Sequence, residues 1–300
     1  MSMASASASV YHDGKVIVEK GWGKQAGAVS VLSAGYERFP LRKILDFLEQ
    51  DTRLASALRV LLSIACVLIL WQVLSLFVTN RLLLVPPADV GIALVKEVQL
   101  GNMWNNAVAT VTAVVTSFLV SVVIGVAIGL ALASSRLLSL TGGPVLSALN
   151  SVPIIALAPL FVAWLGLGFA SKFVLVLLVA VFPVVVTTEA GLRAADKPLI
   201  EAARSFNATK WQIFTTVTFP YALPFIVSGV RVAWARALVG IVVAEFFGSF
   251  AGFGFAILSA SQTFDTARVL GYVFVLGAMG LIGGIAFASL ERSLAPWRQE

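Results

Sequence analysis

The sequence predicts an all-α polytopic membrane protein with about six transmembrane helices. Of its 300 residues, 59% are hydrophobic and only 12% are charged, whereas a soluble domain carries about 25% charged residues. Several apolar runs reach the ~20 residues that a helix needs to cross a hydrocarbon core about 30 Å thick. Such long, continuous runs favour helices, because the strands of a membrane barrel alternate apolar and polar residues.

The apolar runs define six predicted spans after a polar N-terminal region. They lie near residues 57–78, 104–132, 142–164, 172–191, 221–247 and 268–290. An even number of spans places both termini on the same side of the membrane. Lys and Arg residues gather in the N-terminal region, after the second and fourth spans and at the C-terminus. The positive-inside rule therefore predicts that both termini and the loop at 192–220 lie in the cytoplasm.

Residues 1–54 are expected to form a cytoplasmic tail, and residues 55–300 a transmembrane domain. Within the tail, Leu41, Ile44, Leu45 and Leu48 recur at helical spacing, with charged residues between them. This pattern predicts an amphipathic helix near 41–52. The helix lies either on the membrane surface or against the protein's own transmembrane helices, and the sequence leaves both placements open.

Glycines and prolines within the spans predict close helix contacts and bends. Gly125 and Gly129 form a small-xxx-small pair, which lets two helix backbones approach closely. Pro153, Pro159 and Pro183 are expected to kink or interrupt their helices, because proline lacks the backbone N–H and crowds the preceding turn. In transporters, broken helices often border the transport path.

The stretch EAARSFNATKWQIFTTVTFP, from Glu201 to Pro220, is unusually polar for this chain. Asp196 is a helix N-cap residue, and Asn207 suits the left-handed position where a helix ends. Thr209 with Gln212 forms a capping-box pattern for a second helix. Pro220 and Pro224 are expected to end that second helix before the fifth span begins.

The first of these two short helices has an apolar face. Leu199, Ala202, Ala203 and Phe206 recur at helical spacing, and the alanines permit close approach by another surface. The segment is thus either a rigid hook that contacts a partner protein or an ordinary amphipathic connector. The residues by themselves favour neither interpretation.

The same stretch resembles the EAA loop of the permease subunits of bacterial ABC importers. Glu201, Ala202, Ala203 and Pro220 match that pattern, and Asn207 stands where the family has glycine. The segments PIIALAPLFVAWLGLG, PFIVSGVR and VVAEFFGSFAGFGFAI resemble the nitrate/sulfonate/taurine subgroup. The resemblance covers roughly residues 55–300, so this part is identified as a permease domain of the type I ABC importer fold.

The resemblance implies a division of labour among several chains. Such a permease forms half of a transmembrane dimer, which in this subgroup is usually a homodimer. Two cytoplasmic ATP-binding subunits bind ATP and Mg, so no cofactor is expected in this chain. A periplasmic or lipid-anchored binding protein delivers a small solute to the permease in the bacterial inner membrane. The resemblance implies an anion such as nitrate, a sulfonate, taurine or bicarbonate, and the sequence does not identify which of them.

In such permeases the EAA loop contacts the ATPase. The residues that the resemblance assigns to this coupling are Glu201, Ala202, Ala203, Arg204, Phe206, Asn207, Lys210 and Pro220.

Charged residues inside the predicted fifth span are candidates for the transport path. Arg231, Arg236 and Glu245 fall there, and a charge at membrane depth usually faces a cavity or a partner. Arg231 is also close enough to the cytoplasmic end to extend its guanidinium to the interface. Glu189, near the end of the fourth span, is expected to pair with a cation of the following loop.

Several function classes lack the residues they need. The chain has one cysteine and one histidine, and it carries no GxxxxGK[ST] loop for nucleotide phosphates. ATP must therefore be hydrolysed by another chain, and an enzyme within the membrane is disfavoured. The net charge of +6 flanks membrane spans, which argues against nucleic acid. An ion-gradient-driven secondary transporter remains the alternative, although we find no internal repeat of the kind typical of that class.

Overall fold

The computed structural model describes residues 11–12, 15–16, 53–78 and 84–294. The predicted helix at 41–52 lies outside these residues. The chain divides into two units, Met1–Val67 and Leu68–Glu300. In the first unit, strand β1 (Tyr11–His12) pairs antiparallel with β2 (Lys15–Val16).

All other elements of the described part are helical. Helix α1 spans Arg53–Phe77, across the unit boundary, and α2 (Pro87–Gln99) precedes the long α3 (Asn102–Ser134). The next helices are α4 (Arg136–Ser151), a 3-10 turn (Ile154–Leu157), α5 (Ala158–Leu165) and α6 (Phe169–Arg193). The chain continues through α7 (Lys197–Ser205), α8 (Lys210–Ile213), a π-helical turn (Phe214–Thr218), α9 (Phe219–Gly248), α10 (Phe253–Gln262) and α11 (Thr266–Leu294).

The predicted spans are confirmed as helices. Five helices of the described residues are long and apolar enough to cross a membrane, and a bent helix pair raises the number to six. The third predicted span, 142–164, needs correction because it consists of two helices, Arg136–Ser151 and Ile154–Leu165, at 68° to each other. Pro153 lies at this break, where its missing N–H interrupts the helical hydrogen bonds.

The core of the second unit lies among α3, α6 and α9. One cluster joins Val114 and Phe118 of α3, Val176 and Val184 of α6 and Ile241 of α9, all almost wholly buried. Helices α3 and α6 run in the same direction, and α9 runs opposite to both, so the start of α3 lies beside the end of α9. The other helices of this unit pack around these three.

Gly125 and Gly129 lie at the contact of α3 with α6, as the small-xxx-small pattern predicts. A Cβ at Gly125 would lie 2.7 Å from Val184 Cβ, and one at Gly129 would lie 2.6 Å from Thr188 Cβ. Both distances are shorter than side chains tolerate, so glycine is what permits this backbone approach.

The other prolines of these segments do not interrupt a long helix. Pro159 lies in the first turn of α5, but Pro183 lies within the uninterrupted helix α6. The expectation that Pro220 and Pro224 end a helix is wrong, because Lys210–Gly248 is one continuous helical stretch. The π-helical turn just before Pro220 widens the backbone where a proline crowds the preceding turn.

Candidate functional site

The first half of the hook segment, defined as residues 196–220, ends in a left-handed turn. Asp196 is the N-cap of α7, but its side chain makes no capping hydrogen bond. At the other end, Asn207 has φ 56°. Ala208 N donates to Ala203 O at 3.1 Å and Asn207 N donates to Arg204 O at 2.9 Å. These two bonds form a Schellman motif, so the predicted role of Asn207 is confirmed.

The second half begins with a capping box. Gln212 N donates to Thr209 Oγ1 at 3.3 Å, and Thr209 N donates to Gln212 Oε1 at 2.8 Å. Phe214 and Phe219 then pack on a buried cluster that includes Leu192 and Ala222. The hook segment is therefore tied by ordered turns and side-chain packing to α6 and α9.

The hook segment exposes large apolar side chains. Phe206 is 88% exposed, Trp211 is 71% exposed and Leu199 is 52% exposed. In α7, which also carries Leu199, Ala202 is exposed and Ala203 is half-buried. Glu201, Arg204 and Lys210 are also exposed, whereas Pro220 is half-buried. Exposed apolar groups of this size are typical of surfaces that contact another protein or the membrane.

A cavity of about 490 Å³, hereafter the central cavity, lies beside the break between α4 and α5. Its walls are mainly apolar and come from the break, α6 and α9, and Pro153, Phe182 and Val232 are among them. Two polar side chains, Asn150 and Arg236, also line it.

Helix α9 presents one stripe of exposed residues, which includes Ser228, Arg231, Val232, Ala235 and Arg236. Arg231 and Arg236 thus share this exposed stripe, and of these two arginines only Arg236 lines the central cavity.

Glu245 lies in a different setting, because its side chain is fully buried. Its carboxylate accepts hydrogen bonds from Thr110 Oγ1 at 2.9 Å and from Gly254 N at 2.8 Å. Lys172 Nζ lies 3.8 Å from Oε1. Gly254 belongs to the first turn of α10, where the helix dipole favours an anion. This geometry supports a structural tie among α3, α6, α9 and α10 for Glu245.

The neighbouring side chains complete the start of α10. Phe253 N donates to Thr110 Oγ1 at 2.8 Å, and Gly252 N donates to Asn106 Oδ1 at 2.9 Å. Gly252 has φ 128°, which favours glycine, and a Cβ there would collide with the Glu245 carboxylate. Sequence reasoning missed Thr110, Lys172 and Asn106. The glycines on both sides of Phe253 were the available signal that a bulky group lies against this turn.

At the end of the bundle near the hook segment, Glu189 pairs with Arg193 at 3.0 Å and accepts from Ser139 Oγ at 2.9 Å. Glu189 thus pairs with a cation as expected, but Arg193 is the last residue of α6 rather than a residue of the following loop. Arg193 also donates to Leu132 O at 3.2 Å, which joins α6 to α3. Across residues 53–78 and 84–294, we find no group of three or more His, Cys, Asp or Glu residues that could hold a metal ion.

Comparison with known proteins identifies relatives of this chain. Residues 121–299 match the family described as "Binding-protein-dependent transport system inner membrane component". The chain is 35% identical over 242 residues to the riboflavin transport system permease protein RibX of Chloroflexus aurantiacus, covering 80% of this chain and 90% of RibX. It is 35% identical over 157 residues to the formylaminopyrimidine transport permease protein ThiX of Halalkalibacterium halodurans, covering 52% and 63%.

Two further comparisons extend these findings. The taurine transport system permease protein TauC of Escherichia coli is 32% identical over 157 residues, or 52% of this chain and 57% of TauC. The match thus spans less than two thirds of ThiX and of TauC. A structure of the inward-facing MetNI methionine ABC transporter aligns with a TM-score of 0.57 at 20% identity, over 63% of this chain and 94% of that chain. At this identity the alignment shows a shared fold.

The helical bundle and these matches define a polytopic transport permease. The chain belongs to the family of inner-membrane components of binding-protein-dependent transport systems, the permease subunits of ABC importers. It is a multi-pass inner-membrane protein. As a permease subunit it is not an enzyme, and ATP hydrolysis is carried by a partner ATPase.

Proposed function

We propose that this chain forms half of a homodimeric transport path and couples it to two cytoplasmic ATPase subunits through the hook segment. Both termini and the hook segment lie in the cytoplasm, and a binding protein delivers the solute from the other side. The observation that carries this proposal is the exposed apolar face of the hook segment. A partner chain that covers Phe206 and Trp211 removes their large apolar side chains from water, which favours the contact.

The composition of this face supports a protein partner. Large aromatic side chains supply most of the energy in protein interfaces, and alanines allow backbones to approach. Arg204 and Lys210 flank the apolar residues and are exposed. They provide charged positions at the rim, where electrostatic attraction guides association. An isolated connector needs neither the aromatic groups nor the small residues beside them.

The stiffness of the hook segment supports a coupling role. Its bend is fixed by the Schellman motif at Asn207 and the capping box at Thr209, and Phe214 anchors it to the core. Because the second half of the segment continues without a break into α9 and the first half is joined to it by a fixed turn, a displacement of Phe206 is transmitted to the helix that carries Arg236. A flexible loop would absorb such a displacement.

Purification from the native host tests the partner. The complex is expected to contain a stoichiometric ATPase, and Phe206→Glu should remove it because a buried charge opposes the contact. Lys197→Ala is the matched control, since Lys197 lies about 140° around α7 from Ala202. Retention of the ATPase by Phe206→Glu would contradict the proposed surface. Solute uptake by the purified chain alone would instead support a secondary transporter.

For the solute, we propose a small organic anion such as a sulfonate or taurine. The central cavity supports this class, because it combines apolar walls with one guanidinium, that of Arg236. Arginine matches the oxygens of a carboxylate or sulfonate, and the apolar walls suit a carbon chain. The relatives above are named for taurine, riboflavin and formylaminopyrimidine, so the family tolerates different solutes.

Uptake kinetics test the role of Arg236. Arg236→Gln is expected to weaken uptake of the anion by about tenfold or more, because a charge-assisted hydrogen bond contributes ~1.5–3 kcal/mol. Arg231→Gln is the matched comparison on the same exposed stripe, outside the residues that line the central cavity. Unchanged uptake by Arg236→Gln, with normal ATPase activity, would refute the proposed role.

A further inference from the structure

A second cavity, whose lining is largely polar, lies at the end of the bundle opposite the hook segment. It has a volume of about 350 Å³, at the lower end of the range for small-molecule sites. Hereafter it is called the polar cavity. Its lining includes Glu97 of α2, Asn102 and Asn105 of α3, Ser259 of α10 and Arg268 of α11. Four helices thus direct hydrogen-bonding groups to one place.

The guanidinium of Arg268 has unused bonding capacity. Its Nη1 lies 3.9 Å from Glu97 Oε1, and its Nε lies 3.8 Å from Asp265 Oδ2. Both distances are longer than the donor–acceptor distance of a hydrogen bond. Nε is buried and makes no hydrogen bond with the described residues. An acceptor placed in the polar cavity can therefore bind Arg268 without displacing a formed bond.

Glu97 offers the complementary group. Its Oε2 accepts a hydrogen bond from the Tyr272 hydroxyl at 2.5 Å, and Tyr272 in turn accepts from Asn106 Nδ2 at 3.1 Å. This chain fixes the carboxylate, which is almost wholly buried. The other oxygen, Oε1, has only the long contact with Arg268 among the described residues. A positioned carboxylate and a positioned guanidinium therefore border the same cavity.

The two exposed asparagines add uncharged hydrogen-bonding groups. Asn102 and Asn105 each carry a carboxamide, which has both donors and an acceptor. Within the described part of the chain, neither carboxamide makes a side-chain hydrogen bond, in contrast to Asn106, which bonds Gly252 and Tyr272. Their amides are available to a ligand of either polarity.

We propose that the polar cavity binds a small zwitterion, with its anionic group at Arg268 and its ammonium group at Glu97. A simple anion at Arg268 is repelled by the nearby carboxylates of Glu97 and Asp265, and a simple cation at Glu97 is repelled by the guanidinium of Arg268. Only a solute with both charges complements both sides. The inference rests on the proposed function, because it narrows the solute from an organic anion to one that also carries an ammonium group.

Three two-carbon probes of similar size separate these charge classes. Taurine carries sulfonate and ammonium groups, isethionate carries the sulfonate with a neutral hydroxyl, and ethanolamine carries only the ammonium. The purified full chain in lipid nanodiscs is titrated with each probe by saturation-transfer NMR. Taurine is expected to bind about tenfold more tightly than either other probe, because each of them lacks one charge-assisted contact. Equal binding of isethionate and taurine, or no binding of taurine at millimolar concentration, would overturn the proposal.

Variants assign the binding to this cavity. Asn102→Ala combined with Asn105→Ala is expected to weaken taurine binding severalfold, and these exposed side chains can be removed with little risk to folding. Arg268→Gln should abolish the preference for taurine over ethanolamine. Gln262→Ala, an exposed amide at the end of α10, is the matched control. If Arg236→Gln removes taurine binding and the double variant does not, the site is the central cavity and the inference fails.

The two proposals fail separately. ATPase copurification tests the hook segment and does not depend on the polar cavity. A chain that copurifies with an ATPase but shows no preference for the zwitterion leaves the proposed function standing and removes only this inference.

Discussion

Replacing Glu245 by alanine is expected to destabilise the helical bundle by ~3–5 kcal/mol, the range for breaking a buried ion pair. The carboxylate is fully buried, and its partner Lys172 is 6% exposed. Removing the carboxylate leaves the ammonium of Lys172 inside the protein, where its charge is costly. Its remaining partner is Ser249 Oγ at 3.1 Å, a neutral group.

The hydrogen bonds add to this effect and allow a finer test. Without Glu245, the N–H of Gly254 and the hydroxyl of Thr110 lose their acceptor, and a buried unsatisfied donor costs ~1–3 kcal/mol. Glu245→Gln keeps an acceptor oxygen but removes the charge, so its expected cost is smaller than that of Glu245→Ala. The difference in unfolding free energy between the two variants separates the contribution of the charge from that of the hydrogen bonds.

The measurement is unfolding of the purified chain in mixed detergent, followed by helical circular dichroism. A double-mutant cycle with Glu245→Gln and Lys172→Met is expected to give a coupling energy of ~0.5–3 kcal/mol, the range for residues in contact. Thr110→Val and Thr112→Val form a matched pair of variants. The Thr110 hydroxyl donates to Glu245, whereas the Thr112 hydroxyl donates to carbonyls of its own helix. Additivity of the cycle within ~0.3–0.5 kcal/mol would refute the pairing.

Further predictions concern packing and backbone conformation. Gly129→Leu should destabilise the bundle by ~1–3 kcal/mol, because α3 and α6 must separate. Gly277→Leu, at a position with open space around it, should change the same unfolding midpoint little, and an equal loss in both variants would contradict the close contact. Asn207→Gly should raise stability by up to about 1 kcal/mol, since glycine adopts a left-handed φ without steric cost. A lower unfolding midpoint in that variant would show that the Asn207 side chain contributes a contact of its own.

Local signals predicted the helices and the hook segment well. The runs of apolar residues gave the spans, because spanning a bilayer demands length and hydropathy that no other part of the chain has. The capping box at Thr209 and the turn at Asn207 depend on residues within five positions, so the pattern contains all that is needed.

The ties between helices could not be predicted from the same patterns. Thr110 and Glu245 are 135 positions apart in the sequence, and no local pattern relates them. Lys172 lies against the same buried carboxylate, and no local pattern indicates this partner either. The expectation that Pro220 ends a helix failed for a related reason. The effect of a proline depends on the conformation of the turn before it, and here a π-helical turn relieves the crowding without a break.

The unbroken helix from Lys210 to Gly248 is long enough to carry a tilt from one of its ends to the other. Its 39 residues extend about 58 Å at the ordinary rise per residue. A tilt of about 10° around its midpoint displaces each end by about 5 Å in opposite directions. The contacts of Glu245 lie near one end of this helix and the hook segment forms the other, so the bending stiffness of the helix determines how much of a displacement at one end reaches the other end.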